Sequence, residues 1–298
     1  MKLVKSVLSA SILAAAAQTA VAVEIDPYAS LQIMYVDETY SSAGYRDKGI
    51  ANSYSRAGIK ASETLDDLTL NYKFELAVDP TNDADNDFSD SNIRANVISV
   101  SGDFGNLAYG KQNISIYNNV VYGVGSDQFY GYYTGFEALG TTRIDNAVFY
   151  SSPEIDGMTI SGSFSLEDSG TYEDNKELSV TYQVNDSIKV AAGVMDGANT
   201  AQEDMGLGIQ YSKDGLTVNA AYLDKDNGAT EYLNLYAGYS IDDANYIHAH
   251  VSDVDSTTDS TPFTLGFAHK YDASLTVFAE YYDDDSNGYP QVGIHYNF

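Results

Sequence analysis

The sequence predicts an all-β fold, an antiparallel β-barrel of 16 strands that spans a membrane. Three observations carry this. Apolar and polar side chains alternate with a period of two over most of the chain. The connections between these segments are by turns short and long. Past the N-terminus, no stretch approaches the roughly 20 apolar residues of a spanning helix, and an alternating barrel is what remains for a membrane protein of this composition.

The N-terminus marks the chain for export. Lys2 and Lys5 precede an alanine-rich apolar run from Val7 to Ala17, and Ala20-Val21-Ala22 supplies small residues for cleavage. Residues 1–22 are expected to be a secretory signal removed after Ala22, leaving 23–298 as one barrel domain. The apolar run is too short for a membrane anchor. The chain has no cysteine, so burial and backbone hydrogen bonds must hold it together outside the cytoplasm. Loss of two lysines with the signal takes the formal net charge from −28 to −30. Such acidity excludes a nucleic-acid partner and suits cations or a salty exterior.

The strands follow in order. "YASLQIMYV" begins soon after the signal, then "SRAGIKASETL" and "LTLNYKFELAV". In the last, Leu68, Leu70, Tyr72, Phe74, Leu76 and Val78 share one face, and Thr69, Asn71, Lys73 and Glu75 the other. "NIRANVISV", "FGNLAYGKQ", "RIDNAVFYS" and "MTISGSFSLE" come next. "ELSVTYQV", "SIKVAAGV", "LGIQYS", "LTVNAAY", "YLNLYAGYSI", "NYIHAHV", "FTLGFAH" and "LTVFAEYY" repeat the pattern up to the terminal "PQVGIHYNF". Short turns lie at 66–67, 102–105, 153–157, 185–186, 213–215, 242–243 and 271–273. Longer acid-rich loops alternate with them, as do the short periplasmic turns and long outer loops of outer-membrane barrels. One segment, Gln112 to Thr142, is exceptionally long. A soluble β-sandwich would need charges on its outward faces, whereas here the purely apolar face is the more regular one. Open sheet edges cannot exist in lipid, so the last strand is expected to pair with the first and place Tyr296 and Phe298 at the interfacial rim.

With its C-terminal Phe298, the chain resembles the trimeric general porins of Gram-negative outer membranes. The resemblance covers essentially all of 23–298 and rests most on "SRAGIKASETL", "FGNLAYGKQ", "RIDNAVFYSSPEIDGMTISGSFS" and the terminal aromatic. It implies a homotrimer in outer-membrane lipid and lipopolysaccharide that passes small hydrophilic solutes and ions. It also implies that the long third loop folds into the lumen, with its acids facing a basic wall. Phe298 and Tyr296 would then form the signal read by the barrel-assembly machinery.

Carried over residue by residue, Arg56 and Arg94 match basic-wall positions, with Lys60 on the inner face of the same strand as Arg56 and Arg143 beside the strand after the loop. Arg94 has weak parity, because Ile98 and Val100 fall on its face. Ser151 and Ser30 stand where relatives carry arginine or lysine, so the wall is thinned and cation selectivity is expected. The loop departs from the enterobacterial acidic motif, and its only carboxylates are Asp127 and Glu137. Its rings, among them Tyr117 and Tyr122, either pack it against the wall or form a sugar-stacking path. An oligosaccharide-selective channel is therefore the alternative reading. His248, His250, His269 and His295 have no spacing that identifies a catalytic triad, and neither an enzyme, a cofactor nor a metal site is expected. The acid runs "NDADNDFSD" and "DDDSNG" lack the glycine and terminal glutamate of a hand-type calcium loop.

Overall fold

The computed structural model describes residues 23–36, 49–81, 92–124, 142–166, 175–197, 202–225, 229–285 and 288–298. The strand segments are β1 (Glu24–Val36), β2 (Gly49–Asn52), β3 (Arg56–Leu65), β4 (Leu68–Ala77), β5 (Ile93–Gly102), β6 (Gly105–Asn113), β7 (Arg143–Ser151), β8 (Met158–Ser165) and β9 (Lys176–Asn185). They continue with β10 (Ile188–Gly197), β11 (Gln202–Lys213), β12 (Leu216–Lys225), β13 (Thr230–Ser240), β14 (Asn245–Asp255), β15 (Phe263–Lys270), β16 (Leu275–Asp283) and β17 (Gly288–Asn297). β2 and β3 are two halves of one strand, both paired with β1, so the segments make the 16 strands expected. Each strand pairs antiparallel with the next, and β17 pairs with β1 from Ser30↔Asn297 to Val36↔Gln291, closing the sheet without an edge.

Closure fixes the two faces. Leu207, Leu265 and Val194 stand more than half exposed on the outside, while the inward-facing Glu177, His250 and Gln291 are buried. This is the reverse of a soluble protein and the arrangement that hydrocarbon requires. The short hairpins obey turn chemistry. Asp156-Gly157 and Asp214-Gly215 both have positive φ, as the two-residue turns matching strand twist demand. In the turn at 242–243, Asp242 accepts hydrogen bonds from Asn245 Nδ2 and from the backbone N–H groups of Ala244 and Asn245, which hold its carboxyl below the usual range.

Two irregularities break the ladder where the basic wall was expected. Between β2 and β3, Tyr54 takes φ 62°, and Ser55 fills the gap by accepting from Gln32 N–H through its hydroxyl at 2.8 Å. Between β4 and β5 the register shifts after Glu75, which pairs with Ala95 while Leu76 pairs with Ile93. Arg94 is the extra residue of that bulge. Bulges re-aim side chains, and this one turns Arg94 inward against its parity.

Candidate functional site in the barrel lumen

Glu75 is the hub of the inner wall. Its side chain is 9% exposed and receives Tyr28 Oη at 2.7 Å, Arg94 Nε at 3.0 Å, Lys73 Nζ at 3.2 Å and Arg56 Nε at 3.8 Å. Register explains the assembly: Tyr28, Gly58 and Glu75 stand in one row across β1, β3 and β4. A Cβ at Gly58 would sit 2.7 Å from Tyr28 Oη, so only glycine lets the tyrosine lie across to the carboxylate. One row nearer the short turns, Lys60 and Lys73 are opposite each other, with Lys60 Nζ 4.8 Å from the Tyr28 ring centroid. A bay of about 440 Å³ opens there, lined by Asp26, Lys60, Asn71, Lys73 and Ser99 among others.

Of the expected basic residues, the structure therefore brings Arg56, Lys60 and Arg94 to one patch. Arg143 stands apart, at the start of β7, where its Nη1 donates to Thr142 Oγ1 at 3.3 Å. Asp127 and Glu137 lie outside the described residues. The thinned positions are on the inner wall as hydroxyls: Ser30 Oγ meets His295 Nε2 at 2.8 Å and Ser151 Oγ meets Ser161 Oγ at 2.9 Å.

The first part of the long segment, up to Val124, packs against the inner wall. After β6 the chain makes a helical turn, π-helical over Tyr117–Val121, and Ile114, Ile116, Val120 and Val124 become fully buried against inward-facing wall residues. Gly193 and Gly206 make room, since a Cβ on them would stand 2.8 Å from Ile116 Cγ1 and 3.0 Å from Val120 Cγ1. Residues 125–141 lie outside the described part. Tyr117 packs within this cluster, and Tyr122 is 57% exposed.

Sequence reasoning missed two wall acids. Glu75 was on the inner face by parity, but nothing in the alternation marked it as a hub. Glu177, on β9, receives the first turn of the inserted segment through Ser115 and Ile116. A further polar group lies around the barrel, where His248 Nε2 is 3.2 Å from Glu280 Oε1 and Gln291 reaches the same carboxylate. Among the described residues no group of three or more His, Cys, Asp or Glu is placed to hold a metal ion.

A sequence model described as Gram-negative porin matches residues 6–289. This chain is a Gram-negative porin. The porin's architecture is shared by solved structures of low identity. The anion-selective porin from Comamonas acidovorans has a TM-score of 0.71 at 16% identity, over 93% of this chain and 100% of the other. The OmpF of Salmonella typhi, in complex with daunomycin, gives 0.73 at 16% identity, over 92% and 97%. OmpT of Vibrio cholerae in a trimer form gives 0.69 at 20% identity, over 93% and 100%. No curated protein sequence matches. As a member of the family, the porin is an outer-membrane diffusion channel.

Proposed function

We propose that this porin passes small hydrophilic solutes and ions by passive diffusion through a water-filled lumen that prefers cations, and that it catalyses no reaction. The observation that carries this is the inner wall itself. Charged groups line the described part of the closed barrel, where the Arg56, Lys73 and Arg94 cations gather about the Glu75 carboxylate. Glu75, Glu177, Asp204 and Glu280 are buried on the inner face, in a chain of formal charge −28. Charges that line a water path bias which ions enter it. The anion-selective porin from Comamonas acidovorans is similar at 16% identity, a likeness that carries the fold alone.

The inserted segment, with Asp127 and Glu137, is the constriction in this reading, and Arg56, Lys60 and Arg94 are the basic wall it faces. Residues 1–22 are the export signal, and Tyr296 and Phe298 the assembly signal. The assembly is a homotrimer, as in the OmpT form. We place the subunit contact on the outer face of β4 to β7, because polar side chains interrupt the apolar surface there. There Asn96, opposite Phe74 midway along β4, accepts from Tyr72 Oη at 3.1 Å, and Asn146 accepts from Tyr109 Oη at 2.7 Å. Leu178, Leu207, Leu233 and Leu265 face outward on the far arc.

Single-channel recording with added sugars tests the reading. A diffusion channel shows steady conductance with no sugar-dependent closures. Long, concentration-dependent blocks by oligosaccharide would replace it with the selective channel.

A further inference from the structure

We propose that Glu177 is the positioning residue of the inserted segment, fixing the point at which the chain leaves β6 for the lumen. The inference goes beyond the diffusion reading and concerns how the path keeps one width. The carboxylate sits on the inner wall at 6% exposure and collects four donors. Oε1 accepts from Ser115 N–H at 2.9 Å and from Ser163 Oγ at 2.7 Å. Oε2 accepts from Ser115 Oγ at 2.5 Å and from Ile116 N–H at 2.9 Å. These two N–H groups open the helical turn and have no partner within it. The network continues, because Ser179 Oγ donates to Ser115 Oγ at 2.9 Å and itself accepts from Asn119 Nδ2 at 2.8 Å.

The geometry uses both oxygens as acceptors of backbone N–H. A hydroxyl can rotate to suit a new neighbour; a backbone N–H cannot. Glu177→Gln must therefore set its NH₂ against either Ser115 N–H or Ile116 N–H, whichever way the amide turns. One buried donor is orphaned in each case. The apolar contacts of Ile116 with Gly193 and of Val120 with Gly206 then hold the segment without its polar anchor.

The test uses the absence of cysteine in the chain. Val120, fully buried between segment and wall, is replaced by Cys, and the thiol is labelled in the folded protein with a charged methanethiosulfonate. Adding Glu177→Gln should speed labelling on the order of tenfold through local opening, while the temperature at which the barrel unfolds on a gel stays the same. Equal labelling rates overturn the proposal, and so does a fall in barrel stability without faster labelling, which marks Glu177 as ordinary wall structure. Should Glu177→Gln fail to assemble, Ser163→Ala removes one hydroxyl donor and spares both backbone donors. It should give a smaller rise, and no rise overturns the proposal. Parent protein that fails to conduct would refute the diffusion reading alone, because labelling does not depend on conduction.

Discussion

Replacing Glu75 by Gln keeps the shape of the hub and removes its charge. Arg56, Lys73 and Arg94 then share one patch with no carboxylate among them. The barrel should persist, because the Arg56 and Lys73 side chains are 33% and 40% exposed and can turn toward lumenal water. For an ion passing about 7 Å from the lost charge, the Coulomb energy in water is roughly 0.6 kcal/mol. Screening over about 8 Å at 0.15 M salt reduces this to roughly 0.25 kcal/mol. Cations lose what anions gain, so the cation-to-anion permeability ratio should fall about twofold. At about 0.01 M, with a screening length near 30 Å, the fall should be about fivefold, and near 1 M it should almost vanish. Reversal potentials across a potassium chloride gradient at several mean concentrations read this directly. An unchanged ratio at low salt, or a change that does not fade with salt, would refute the placement of Glu75 beside the ion path.

Arg56→Ala should shift the same ratio about twofold the other way at 0.15 M, since one wall cation is lost from the same patch; unchanged selectivity and conductance would remove Arg56 from the path. Deleting Phe298, whose N–H donates to Ala29 O at 2.9 Å and whose ring meets Tyr296 edge-on, should sharply lower membrane-inserted, heat-modifiable protein in cells. Refolding in detergent should suffer little, because the loss there is one exposed rim ring worth less than about 1.5 kcal/mol; equal assembly of deletion and parent in cells would make the ring ordinary girdle packing. Asn96→Leu combined with Tyr109→Phe should lower the temperature at which a detergent-resistant trimer dissociates and leave the barrel folded, as gel mobility would report, whereas an unaltered trimer would place the subunit contact elsewhere.

The fold was legible because a closed membrane barrel makes each strand its own amphipath. Period-two alternation in "LTLNYKFELAV" and its successors assigned both faces before any contact was known. Closure of β17 on β1 followed from the alternating terminus and the cost of an open edge. The site was legible only in part. Arg56 obeyed parity, but Arg94 did not, because a one-residue bulge opposite Glu75 and Leu76 reverses its side, and bulges leave no mark in an alternating pattern. Arg143 was grouped with them by nearness to the long segment, yet it stands at the segment's root. Glu75 and Glu177 are inner-face acids like others in the sequence. Their roles come from register, which puts Tyr28 and Gly58 in line with one and the return of the chain from β6 beside the other. Both depend on pairings between residues far apart in sequence.

In the proposed function the porin holds a water-filled path whose fixed charge favours cations. Its most direct measurement is the reversal potential of the unmodified protein in a planar bilayer under a tenfold gradient of potassium chloride, at about 0.01 M and then at near-molar mean salt. A linear, steady conductance is expected, with a clear preference for potassium at low salt that fades as the screening length falls from about 30 Å toward about 3 Å. A preference for chloride at low salt, or an absence of steady conductance, would contradict it.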